Sequence, residues 1–78
     1  MRLVITNELG NFDIDISEQN EIQEIVEIAR RHYNLPANGY YTIGIKNHIY
    51  LEFLGAQKIF NTCIKENDTL IFNVYTKT

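Results

Sequence analysis

Few side chains in this chain are of the types that do chemistry: two histidines, His32 and His48, one cysteine, Cys63, and the aspartate pair Asp13 and Asp15. A zinc-type site needs His and Cys ligands at short spacings together with third and fourth partners, and no two of these residues stand at such a spacing. Cys63 would act as a nucleophile only as a thiolate. No basic cluster surrounds it to favour that form, and the commoner role is that of a small buried apolar residue. Asp13 and Asp15 are two residues apart on an extended segment, so they point the same way, as paired carboxylates for acid–base work must. Outward charges at that spacing also mark an edge strand guarded against pairing with another chain. Glu27 with Arg30 or Arg31 reads as surface pairing on a helix, worth a few tenths of a kcal/mol. No phosphate loop, catalytic triad or nucleophile elbow is present. The expectation is a chain without catalytic residues, cofactor or metal ligands, and not an enzyme.

The elements around these residues are easier to read. Ile22, Ile25, Val26, Ala29 and Tyr33 recur at three-and-four spacing, which predicts a helix over 21–33 with one apolar face. Asn20 with Gln23 reads as its N-terminal cap, a relative of the capping box. Glu18, Glu21 and Glu24 crowd the start and Arg30, Arg31 and His32 the end, which complements the helix dipole. Leu35-Pro36 stops it. Ahead of the helix, Leu3 and Ile5 open a strand that reaches Gly10-Asn11, read as a two-residue hairpin turn. Phe12-Asp13-Ile14-Asp15-Ile16 then alternates strictly. Folding about that turn pairs Leu9 with Phe12 and Ile5 with Ile16, and its one defect is Glu8 opposite Asp13. After the helix, 40–46 and 49–51 read as short strands around Lys46-Asn47-His48. Residues 55–62 are irregular with a short helical turn, and Asn67-Asp68 turns the chain into a last strand over 70–75.

Seventy-eight residues make one domain, 1–78, and a domain this small buries only about 60% of its unfolded surface, so a lone helix must find a sheet to cover its apolar stripe. The hydrophobic fraction of 45% with a single proline excludes a disordered chain. A net charge of -3 with scattered Lys and Arg argues against a nucleic-acid partner. No apolar run approaches the ~20 residues that span a bilayer, and Met1-Arg2-Leu3 enters structure without a signal peptide, so no membrane insertion is expected and the location expected is the cytoplasm. One cysteine forms no internal disulfide, in keeping with a reducing compartment. Richness in Ile, Asn and Lys points to an AT-rich bacterial genome.

Two strands, a helix, two short strands, an irregular crossing and a last strand follow the order of a β-grasp. Ile22, Ile25 and Ala29 followed by Leu35-Pro36 resemble the helix and exit of ubiquitin-like domains. Lys58-Ile59 leading through Ile64-Lys65-Glu66-Asn67-Asp68-Thr69-Leu70 is similar to their penultimate turn and last strand, and Gly10 sits where they turn their first hairpin. The resemblance spans nearly the whole chain. It implies an α+β fold, a ubiquitin-like β-grasp of ββαββ order with a mixed sheet packed on one helix. Two departures stand out. Thr62 and Cys63 replace the Tyr and the Gly or Asn often found before the matching Ile, and the ending Tyr75-Thr76-Lys77-Thr78 lacks the diglycine used for conjugation or sulfur carriage. Nothing is therefore expected to be attached through the C-terminus. A free-standing bacterial chain of this length without diglycine looks most like the YukD-type ubiquitin-like component of type VII secretion systems. The function this implies is a small non-catalytic protein–protein interaction module. The alternatives are an accessory subunit of a multicomponent enzyme, or a modifier or sulfur-carrier relative that has lost its tail.

Alternation supplies the contact surface. If Leu70, Phe72 and Val74 face the helix, Ile71, Asn73 and Tyr75 face away from it, and the first strand sends Val4 and Thr6 to the same side. The third strand reads two ways. Its apolar set Tyr41, Ile43 and Ile45 faces inward and leaves Tyr40 out, or an ungapped ubiquitin match puts Ile43 out. The expected partner is another protein on the open sheet face, at Val4, Tyr40, Ile71, Asn73 and Tyr75. The expected core is the helix stripe with Leu3, Ile5, Phe12, Ile14, Ile16, Ile59, Ile64, Leu70 and Phe72.

Overall fold

The computed structural model describes residues 1–45, 51–52 (backbone only) and 55–75. Along them run β1 (Arg2–Asn7), β2 (Gly10–Asp15), α1 (Ile22–His32), β3 (Tyr40–Ile45), β4 (Leu51–Glu52), a single 3-10 turn (Ile59–Asn61) and β5 (Thr69–Tyr75). The order is ββαβββ, one strand more than the ββαββ shorthand. The strands form one mixed sheet in the order β2-β1-β5-β3-β4, with β1 and β5 parallel and the other pairs antiparallel. The expected turn at Lys46-Asn47-His48 and the strand start at Ile49 lie outside the described residues.

The β1–β2 hairpin has the expected faces but a different register. Its pairs are Leu3 with Ile14, Val4 with Asp13 and Ile5 with Phe12, and the turn is Glu8-Leu9 rather than Gly10-Asn11. The shift is by an even number of residues, so no side chain changes face. It also moves Glu8 into the turn, so the like-charge pair with Asp13 never forms. The Asn7 side chain holds the turn. Its Oδ1 accepts from the Leu9 N–H at 2.8 Å, and its Nδ2 donates to the Phe72 carbonyl at 2.7 Å. Gly10 follows at φ 130, a conformation that other residues rarely adopt. Leu9 is thereby left exposed at the tip.

The helix start is also corrected. The cap is Glu21, not Asn20, and the Glu24 carboxylate accepts from the Glu21 N–H at 2.8 Å in place of Gln23. The first helical amides are satisfied by the chain that crosses them: Ile22 N–H donates to the Gln57 carbonyl and Gln23 N–H to that of Gly55, both at 2.9 Å. Lys58 bridges to Glu21, with nitrogen and carboxylate 3.6 Å apart. At the other end, Leu35 N–H donates to the Arg30 carbonyl and Asn34 N–H to that of Arg31, with Asn34 at φ 57. This is the Schellman pattern, and it ends the helix before Pro36 is reached. Asn34→Ala should lower stability by ~1 kcal/mol in thermal unfolding, while Asn34→Gly should match or exceed the parent.

One core lies between helix and sheet: Leu3, Ile5, Ile14, Ile16, Ile22, Ile25, Ala29, Ile43, Ile45, Ile59, Ile64, Leu70 and Phe72. Ile43 is fully buried, which decides between the two readings of β3 in favour of the inward apolar set. Phe12, Val26 and Tyr33, expected in the core, are half-buried at its margin. Phe12 and Tyr33 belong to an aromatic row: His32 stacks on Phe12 with centroids 3.7 Å apart, Phe12 meets the edge of Tyr33, and Phe72 lies between Tyr33 and Tyr41 at 5.7 and 5.4 Å. The Tyr33 hydroxyl donates to the Gly10 carbonyl at 2.6 Å, and burial raises its pKa above the usual tyrosine value.

Candidate protein-interaction face

The sheet has one face under the helix and one without it, and the register places the expected contact residues on the second. β5 runs through the middle of this face. Ile71 has Thr6 of β1 on one side and Gly44 of β3 on the other. Gly44 offers no side chain there, so Ile71 lies over bare backbone. Val4 sits one row away, beside Thr69 and opposite Asp13. Toward the end of β5, Asn73 is opposite Thr42 and its Nδ2 donates to the Thr42 hydroxyl at 3.2 Å. Tyr75 is opposite Tyr40, and the two rings are tilted with centroids 5.3 Å apart. Tyr40 is 59% exposed and Tyr75 44%, whereas Val4, Ile71 and Asn73 are half-buried by their strand neighbours.

The five residues thus share one face, but they form two groups. Val4 and Ile71 make an aliphatic centre. Tyr40 and Tyr75 make an aromatic end that borders a cleft of about 270 Å³, also lined by Leu35, Pro36, Asn38, Gly39, Tyr41 and Val74. This cleft was hidden in the sequence, where Leu35-Pro36 registers only as a helix stop. The Tyr41 hydroxyl donates to the Pro36 carbonyl and ties the loop after the helix to the start of β3.

The residues weighed for chemistry are dispersed. His32 is engaged with Phe12. Cys63 is exposed rather than buried, because it follows the 3-10 turn with Ile59 and Ile64 supplying the packing around it. Asp13 and Asp15 are exposed on β2, which is an edge strand, and Asp15 is 3.2 Å from the N-terminal ammonium. Arg30 lies 2.6 Å from Glu27 and Arg31 3.6 Å from it. The hydrogen bond from Arg30 holds the Glu27 carboxyl below its ordinary pKa, opposed by a smaller desolvation effect. Among the described residues no cluster of His, Cys, Asp and Glu is disposed to hold a metal ion, and no helix is long and apolar enough to cross a membrane. His48 lies outside the described residues.

No family model and no curated protein matches the chain in sequence. Among solved structures it is similar to a ubiquitin-like protein from the hyperthermophilic archaea Caldiarchaeum subterraneum, with a TM-score of 0.54 over 100% of both chains at 11% identity. Agreement over the full length of both chains at so low an identity is agreement of architecture, and it coincides with the strand order, the single helix and the crossing described above. The chain therefore has the α+β ubiquitin-like β-grasp fold.

Proposed function

We propose that this chain is a small non-catalytic interaction module that binds another protein through the helix-free face of its sheet. The observation that supports the reading is the pairing of an aliphatic centre, Val4 with Ile71, and two exposed tyrosines on one face of the sheet. Aromatic side chains combine large apolar area with a polar tip and are enriched at protein interfaces. Within this reading the module is an accessory component of a bacterial type VII secretion system and works in the cytoplasm. The motif resemblance of the helix exit and the penultimate turn supports the ubiquitin-like module, and secretion ATPase genes beside its own would support the narrower role.

The test is Ile71→Asp. Ile71 is only half-buried and faces away from the helix, so the variant should keep the parent's circular dichroism and cooperative melt. It should also fail to capture the partner that the immobilised parent retains from lysate of its own cell. A folded variant that captures the partner as well as the parent moves the contact surface elsewhere.

A further inference from the structure

The end of β5 combines two features that ask for the same occupant. β1 pairs with β5 only as far as Ile71 and then leaves for its turn after Asn7. Asn7 Nδ2 bonds the Phe72 carbonyl, which places that carbonyl on the β1 side of β5. Alternation turns the Val74 N–H and C=O to that same side, two residues on, where β1 no longer runs. The other side of this stretch is taken by β3, through Tyr41 opposite Val74 and Tyr40 opposite Tyr75. Among the described residues no strand pairs with Val74 on that side, which leaves a short edge in the interior of the sheet. The Val74 side chain, on the helix-facing side, also lines the cleft with Leu35, Pro36 and Tyr41. None of the eight lining residues is charged at neutral pH, although the whole chain carries -3.

We propose that the partner enters here as an extended, uncharged segment whose backbone pairs with Val74 along the track that β1 vacates, with an apolar side chain in the cleft beside Tyr40 and Tyr75. This rests on the reading that those two tyrosines belong to the contact surface. Only an extended chain presents a donor and an acceptor at the spacing of one strand residue, which selects strand addition over a helix. A residue opposite Val74 in an added strand shows its side chain on the Val74 side, which is the cleft. The uncharged lining selects an apolar residue, since a charge placed there would be desolvated with no counter-charge among the lining residues.

The probe is a blocked peptide, acetyl-Val-Thr-Val-Thr-Val-amide, titrated into the full chain labelled with 15N. Amide shifts should move at Val74, Tyr75 and Tyr40, with Leu35 following. N-methylation of the central Val removes one backbone donor and should weaken binding roughly three- to tenfold. Replacing the central Val of the peptide by Glu should remove binding, and Tyr40→Ala in the protein, at an exposed position, should weaken it with the fold intact. Shifts confined to the β2 edge, no shifts at millimolar peptide, or equal binding of the N-methylated peptide would each overturn the proposal. Concentration-dependent shifts at these same amides without peptide would assign the cleft to a second copy and overturn it too. The wider reading fails separately: peptide binding at Val74 while Ile71→Asp still captures its partner removes the face and leaves the cleft. Loss of capture in Ile71→Asp without peptide binding removes the cleft and leaves the face.

Discussion

Replacing Phe72 with alanine should cost about 3–5 kcal/mol, a large share of what holds a domain of this size together. Phe72 is 1% exposed, and its ring lies between those of Tyr33 and Tyr41. Its removal forfeits the transfer of a large side chain from water and two ring contacts. It also leaves a cavity that the backbone cannot close, because Phe72 is held on one side by β3 and on the other by Asn7. Chemical denaturation should show a fall in midpoint with little change in slope, as expected when stability alone changes. A variant that unfolds at the parental midpoint would mean that the aromatic row does not form.

Leu70→Ala should cost ~2–5 kcal/mol by the same reasoning applied to a fully buried aliphatic side chain. Leu70 is held from both sides of its strand. It is paired to Ile5 across the parallel β1 contact and to Ile45 across the antiparallel β3 contact, and all three side chains are in the core. Its neighbour Ile71 differs by one residue in sequence and by one face in the sheet. The contrast between a strongly destabilised Leu70→Ala and a folded Ile71→Asp would therefore fix the register of β5 in one experiment. Parental melting of Leu70→Ala would place that side chain outside the core.

Much of this architecture was legible without coordinates. A helix covering one stripe, a strictly alternating β2 and a short chain with room for one core leave few arrangements, and the two periodicities alone assign the inward sets Ile22, Ile25, Ala29 and Ile14, Ile16. Which residues share the open face was legible for the same reason: in a strand, the identity of the buried set dictates the exposed set. Local chemistry misled where long-range partners intervened. Asn20 is a good cap by type, yet the helix amides it would serve are taken by the carbonyls of Gly55 and Gln57, residues more than thirty positions away. Gly10-Asn11 is a good turn by type, yet the turn falls at Glu8-Leu9, where Asn7 can hold both the loop and the Phe72 carbonyl of β5. The cleft lay beyond sequence reasoning altogether, because it is bounded by a helix exit, a strand start and a strand end that only the closed sheet brings together. Pattern determines which face of each element is apolar, since that depends on the residues of the element alone. Register, caps and concavities depend on which backbone groups find partners in other elements, and only the tertiary structure decides that.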